Sequence, residues 1–142
     1  MNIQEKSQSV VDEFLIFEDW MDKYAFLIEL GKDVPLIDKK FKTNQYLISG
    51  CQSRVWLHAE MKDGLMLLSA DSDAVITKGI ASLLIRVLSG QSPKDILESD
   101  LGFLQQIGLQ EHLSPTRANG LTSMIKQIQL YARAFLLKSQ NS

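Results

Sequence analysis

The stretch from Val55 to Ala70 limits the fold of this chain more than any other. Val55, Leu57, Ala59 and Met61 alternate with Trp56, His58, Glu60 and Lys62, and the apolar run Leu65-Met66-Leu67-Leu68 follows Lys62-Asp63-Gly64. A period of two places alternate side chains on opposite faces of a strand, and Asp-Gly accepts the positive φ angles of a tight hairpin turn. The pattern predicts a β-hairpin from Val55 to Ala70. An isolated hairpin is marginal in water, so other segments must cover one of its faces.

Most of those segments read as helices. Ser9 is read as the cap of a first helix with Val10, Val11, Phe14, Leu15 and Phe17 as its apolar positions, and residues 1–9 as a polar, frayed start. A second helical pattern runs from Trp20 through Tyr24, Leu27 and Ile28 to Leu30, with Gly31 at the left-handed position past its end. The two stretches fit one bent helix or two. Pro35 makes Lys32 to Lys42 a loop, with Leu36-Ile37 tucked toward the core. Asn44 to Ile48 is predicted as a third strand leading to Cys51.

Asp71-Ser72-Asp73 has the short acceptor side chains of a helix start, and Val75, Ile76, Ile80, Leu83, Leu84, Val87 and Leu88 then recur at helical spacing up to Gly90. Ser92-Pro93 and Ser114-Pro115 each pair a capping serine with a proline suited to the first helical position. A short helix around Phe103 to Leu109 lies between them, and a final helix runs from Pro115 to about Lys138, with 139–142 frayed. Gly120 in its first turns costs about 1 kcal/mol against alanine, which points to a close approach there. The expected architecture is α+β: one domain over residues 1–142, a small three-stranded antiparallel sheet packed against several helices.

Composition narrows the function. Fifteen basic and seventeen acidic residues leave a net charge of −2, which gives no electrostatic case for nucleic acid as the main partner. No apolar run reaches the ~18 residues that span a bilayer, so no membrane role is expected. Met1-Asn2-Ile3-Gln4-Glu5-Lys6 does not read as a secretory signal, and a free thiol without one suits a reducing cytoplasm.

Cys51 is the sole cysteine, so neither an internal disulfide nor a cysteine-rich metal cage can form. The only histidines, His58 and His112, lack metal-ligand spacing. Asp71 and Asp73 open like a calcium loop but lack its glycine and terminal glutamate. Gly90-Gln91-Ser92-Pro93-Lys94 does not match a phosphate-cradling loop. A Cys–His hydrolase would need His58 beside Cys51, yet His58 shares its strand face with Trp56 and Glu60. No metal and no cofactor are therefore expected. Two uses of Cys51 stay open: core filler, or a reactive thiol at the bend made by Gly50, with Arg54 favouring the thiolate.

Ser49-Gly50-Cys51-Gln52-Ser53-Arg54-Val55-Trp56 resembles the Gly-Cys-Gln-Ser-x-Val-Trp motif of the SufE/CsdE sulfur acceptors. Asp71-Ser72-Asp73-Ala74-Val75-Ile76-Thr77-Lys78-Gly79 and Leu113-Ser114-Pro115-Thr116-Arg117-Ala118-Asn119-Gly120-Leu121 are similar to two further stretches of that family, in the same order. Two departures stand out: Thr116 replaces the usual serine, and Ser49 the usual proline before Gly50.

The resemblance implies a fold like that of the IscU-type scaffolds, without their three cysteines. It implies that Cys51 carries a persulfide taken from a pyridoxal-phosphate cysteine desulfurase of the SufS or CsdA kind, which the protein stimulates, and passes the sulfur toward an iron–sulfur scaffold. Gly50, Gln52 and Arg54 flank that cysteine, and Asp73 and Arg117 stand in the other two motifs as supporting residues. Cys51 is expected to rest sheltered and to swing out on docking, with Asp73 and Arg117 holding the closed position. The rival readings are a module that regulates a desulfurase without carrying sulfur, and a cluster scaffold.

Overall fold

The structure, a computed structural model, describes residues 1–50 and 52–140. Its centre is the helix α3, Val75–Leu88, in which Thr77, Gly79 to Ile85, Val87 and Leu88 are all buried. Before it come α1 (Ile3–Leu15), α2 (Trp20–Lys32), β1 (Val55–Lys62) and β2 (Leu65–Ser72). After it come α4 (Pro93–Glu98), the one-turn helices α5 (Phe103–Gln106) and α6 (Leu109–His112), and the long α7 (Pro115–Gln140).

The hairpin forms as the alternation requires. β1 and β2 pair antiparallel with Leu57 opposite Ala70, Ala59 opposite Leu68 and Met61 opposite Met66. Asp63 and Gly64 carry the turn with φ of 55° and 79°. Val55, Leu57, Ala59, Met66, Leu68 and Ala70 belong to one core with α3 and α7. Tyr131 of α7 donates its hydroxyl to the Leu57 carbonyl at 2.9 Å, which ties the long helix to the sheet.

The sheet has two strands, not three. Asn44–Tyr46 forms a 3-10 turn closed by the Tyr46 and Leu47 amides on the Thr43 and Asn44 carbonyls. Only Leu47 and Ile48 remain extended, and they contribute a single antiparallel bridge, Leu47 to Trp56. The Tyr46 ring sits edge-on to Phe41 and to His58, so aromatic packing favours the turn over a longer ladder. On the other edge Leu36 bridges Ala70 in parallel; Ile37 is buried there, while Leu36 itself is exposed.

Three helix boundaries also differ from the sequence reading. α1 begins at Ile3, because Asn2 and Glu5 form a reciprocal capping box; Ser9 lies inside the helix, and the start is not frayed. α1 and α2 are separate, with Asp19 capping the second. Gly31 falls within α2, and its value is packing. A Cβ on Gly31 would stand 2.9 Å from the Gly79 amide nitrogen, and one on Gly79 would stand 2.2 Å from the Leu27 carbonyl oxygen. α2 and α3 thus meet backbone to backbone, and the Ser82 hydroxyl adds a bond to the Leu30 carbonyl at 2.6 Å. The region of Phe103 to Leu109 splits into two helices at Gly108, whose φ is 70°. Ser92 caps α4 as expected, Gly90 follows α3 with φ of 81°, and α7 continues to Gln140. Residues 141 and 142, read as part of a frayed end, lie outside the described residues.

The glycine contact makes a prediction. Gly79→Val should lower stability by about 3 kcal/mol or more, since its neighbour is a carbonyl that cannot move aside. Gly64→Ala, with nothing within 4 Å of the added Cβ, should cost only about 1–2 kcal/mol for its left-handed φ. Chemical denaturation midpoints test this; equal losses in the two variants would refute the contact's importance.

Candidate functional site

The loop of residues 49–54 leaves and re-enters the sheet at one point. The Ile48 amide donates to the Val55 carbonyl at 2.8 Å and closes its base. Its downstream limb is bonded to the start of α3. The Arg54 amide donates to Asp73 Oδ1 at 3.0 Å, the Ser72 hydroxyl donates to the Arg54 carbonyl at 2.8 Å, and the Asp73 amide reaches that carbonyl at 3.3 Å. Ser53 Oγ and the buried Thr77 Oγ1 share a hydrogen bond at 3.1 Å. Its upstream limb rests on α7. Gly50 has a φ of 87°, and a Cβ there would fall 2.7 Å from Ser123 Oγ, so both conformation and space require glycine.

Asp71-Ser72-Asp73 therefore does different work from a helix cap. The N-cap of α3 is Ala74, which has no side-chain cap bond. Ser72 Oγ accepts from the Ala74 amide, but Asp73 spends its carboxylate on the loop. Asp71 bridges two cations, Lys42 at 2.8 Å and Lys78 at 3.4 Å. Lys42 Nζ also lies 4.7 Å from the centre of the Trp56 ring. Burial opposes ionisation of Asp71; the hydrogen bonds from Lys42 and the Ser72 amide and the charges of Lys42 and Lys78 outweigh it and hold its carboxyl below the ordinary range. With a lowered native pKa, this stabilisation is present above the unfolded-state value and is lost as pH falls through the native one.

A cleft of about 520 Å³ opens beside the loop. Gln52 and Ser53 line it from the loop, Ala74 and Thr77 from α3, and Ser114, Thr116, Arg117 and Gly120 from α7. Among the described lining residues are hydroxyls, an amide and one guanidinium, but no carboxylate. The N-terminal turns of α3 and α7 both face it, and their partial positive charge adds to that of Arg117. Such surroundings favour an anion, a thiolate included.

Cys51 lies outside the described residues, and with it the expectation that its side chain is sheltered. Its neighbours Gly50 and Gln52 stand on the loop and Gln52 borders the cleft. Arg54 contributes through its backbone; its side chain is exposed, and among the described residues it makes no ion pair. Asp73 and Arg117 come to the same site from different elements, but not in the same way. Asp73 holds the loop, whereas Arg117 is exposed on the cleft wall, and among the described residues its guanidinium has no carboxylate partner. Gly120 is buried at the cleft.

Both histidines are held in ring stacks. His58 stacks on Phe41 at 3.8 Å with Tyr46 at its edge, and burial is the main reason its pKa lies below the ordinary value. His112 stacks on Trp20 at 4.0 Å and shares a hydrogen bond with the Gly108 carbonyl. Sequence reasoning missed Ser53, Thr77 and Ser123, which fix the loop, and the Lys42-Asp71-Lys78 cluster beside it. The hydroxyls carry no sequence signal of their own. Asp71-Ser72-Asp73 did carry one, since three short acceptors in a row exceed what one helix start can use.

Comparison with known proteins places this geometry. A family model described as SufE, the Fe–S metabolism associated domain, matches residues 8–132. An uncharacterized SufE-like protein of Rhizobium meliloti (strain 1021) is 38% identical over 132 residues, covering 89% of this chain and 94% of that protein. SufE-like protein 1, chloroplastic/mitochondrial, of Arabidopsis thaliana is 38% identical over 136 residues, 95% of this chain but 37% of that longer protein. The solution structure of a hypothetical protein from Thermus thermophilus is similar with a TM-score of 0.78 at 26% identity, over 93% of this chain and 96% of that one. Among the described residues no helix is long and apolar enough to cross a membrane. With a matched region that takes in the loop, the α3 start and the α7 start together, the chain belongs to the SufE family, whose domain is associated with Fe–S metabolism.

Proposed function

We propose that this protein accepts sulfane sulfur as a persulfide on Cys51 from a pyridoxal-phosphate cysteine desulfurase, stimulates that enzyme by clearing its sulfur, and hands the sulfur to an iron–sulfur assembly scaffold. The observation that carries the reading is the pinned loop: the only thiol of the chain belongs to a segment bonded to α3, packed on α7 and bordered by a cleft that favours anions. Membership in a family of Fe–S metabolism supports the direction of transfer.

The step balances without an added oxidant or reductant. The Cys51 thiolate attacks the outer sulfur of the donor's cysteine persulfide. A new S–S bond forms on Cys51, the donor's S–S bond breaks, and the donor cysteine leaves as a thiolate. The thiolate is the reacting form, so the α3 and α7 termini and Arg117 would lower the barrier by favouring it. The reading calls for a reducing aqueous compartment, in which Cys51 is free before each cycle. One relative is chloroplastic/mitochondrial, so the cytoplasm is one such compartment among several.

Cys51→Ser should fold normally and accept no sulfur. After incubation with desulfurase and cysteine, the wild-type peptide should gain about 32 Da, the mass of one sulfur, and the serine variant nothing. An unmodified wild-type thiol alongside full stimulation would favour the regulatory module instead.

The loop bonds make a second prediction. Asp73→Ala removes the acceptor for the Arg54 amide, and alkylation of Cys51 by iodoacetamide should quicken several-fold. Arg117→Ala removes no described bond to the loop and should leave that rate near wild type, while slowing sulfur transfer. Equal alkylation of the wild type and Asp73→Ala would show that the tie does not govern access.

A further inference from the structure

The chain between α2 and the cysteine loop crosses one face of the hairpin as a strap. It starts on the free edge of β2, where Leu36 bridges Ala70 and the Ile37 amide donates to the Ala70 carbonyl at 3.1 Å. It ends on the free edge of β1, where Leu47 bridges Trp56 and the Ile48 amide donates to the Val55 carbonyl at 2.8 Å. Alternation along β1 puts Trp56, His58 and Glu60 on the face the strap crosses, opposite the core positions Val55, Leu57 and Ala59. Between its two ends the strap's backbone bonds, among the described residues, run within the strap itself.

Side chains hold its middle to the sheet. The Phe41 ring stacks on His58 at 3.8 Å with 9° between the planes, and the Tyr46 ring meets His58 edge-on at 5.3 Å. Lys42 bonds Asp71 and lies over the Trp56 ring. His58 is thus shared by two of these three strap residues. The strap continues without a break into Ile48, Ser49 and Gly50, the upstream limb of the cysteine loop. We infer that His58 is a positioning residue for that limb: neutral, it clamps the strap through Phe41 and Tyr46, and protonated, it lets the strap and the limb loosen from the β1 edge.

The surroundings of the ring set the sign. Burial is the largest influence and disfavours the imidazolium; Glu60 on the same strand favours it, Lys40 on the strap disfavours it, and Asp38 favours it, leaving the pKa below the ordinary 6.5. Lys40 Nζ already lies 5.0 Å from the centre of the Phe41 ring, so a charged His58 would be a second cation at one aromatic face. The cross-strand partner of His58 is the uncharged Ser69. Asp71, on the same face, is kept ionised by Lys42 and Lys78. Tyr131 of α7, beside Tyr46, has its pKa raised by burial and stays neutral. Histidine is the side chain that ordinarily changes charge between about pH 5 and 8. With its native pKa lowered, the clamp is complete above the ordinary histidine value and is lost as pH falls through the native one. The clamp itself stands on this geometry; that the limb it controls serves sulfur transfer rests on the sulfur-accepting reading.

The test compares the whole wild-type chain with His58→Phe, which keeps a ring against Phe41 and cannot take a proton. Hydrogen exchange of the Ile48 amide is measured for both at about pH 7.5 and about pH 5.5, and the wild-type rate is divided by the variant rate so that intrinsic exchange chemistry cancels. The ratio should rise about twofold or more on acidification, while that of the Met66 amide, which bonds the Gln91 carbonyl away from the strap, should stay level. Two exposed charges then separate a titrating ring from a merely packed one. Glu60→Gln should move the midpoint of the rise to lower pH, and Lys40→Met should move it to higher pH. A level Ile48 ratio would overturn the proposal, and so would a midpoint that neither charge variant moves. Sulfur mass gain on wild-type Cys51 at about pH 7.5, with the clamp closed, is read separately. Mass gain with a level exchange ratio defeats the clamp alone; a pH-dependent ratio without mass gain defeats the carrier reading alone.

Discussion

The backbone contact between α2 and α3 sets the position of everything that reaches the cysteine loop. Gly79 has no room for a Cβ beneath the Leu27 carbonyl, and Gly31 faces it in turn. This lets α3 sink until ten of its fourteen residues are buried, with α2 over one flank and the sheet and α7 over others. A buried helix cannot shift without moving its neighbours, because protein interiors are close-packed. Its N-terminus is therefore a fixed point, and the loop bonds to that point through Ser72, Asp73 and Thr77.

The hydrophobic pattern made the hairpin, α3 and α7 legible in the sequence, because their side-chain periods coincide with the structure's periods. The third strand failed for a reason that periodicity does not contain. Tyr46 packs edge-on to Phe41 and His58 instead of continuing a ladder, and His58 lies twelve residues on, beyond the cysteine loop. Gly31 failed likewise. A glycine after an apolar helix run reads as a terminator, but the tight approach to Gly79 forty-eight residues later keeps it inside the helix.

The site was legible in its parts and not in its wiring. Gly50 and Asp73 belong to the loop and its ties, and Arg117 stands across the cleft that borders it. What the sequence concealed is which of them hold the loop through bonds. Asp73 looked like a cap because short acceptors serve any nearby amide, and only the fold decides which amide is nearest. Arg117 looked like a clamp, yet it is exposed on the cleft wall and, among the described residues, makes no ion pair.

The restraints on the loop are uneven, and that unevenness bears on delivery. The downstream limb is bonded by Ser53 to Thr77 of α3 and by Arg54 to Ser72 and Asp73 just ahead of that helix, while the upstream side has, among the described residues, the contact of Gly50 with Ser123 and the bridge at its base. Parting these bonds together, the Ser53–Thr77 one part-buried and the two at Arg54 exposed, costs more than parting a van der Waals contact. A loop that had to reach into a partner would thus pivot about Ser53 and Arg54 and lift from the Gly50 side. Gly50 can follow such a movement because its backbone visits both signs of φ at little cost. Ser49, standing where relatives of this motif usually carry proline, frees the residue before it as well. Stiffness where the loop meets α3 and freedom where it leaves the sheet are both needed if one thiol is to be aimed and still travel.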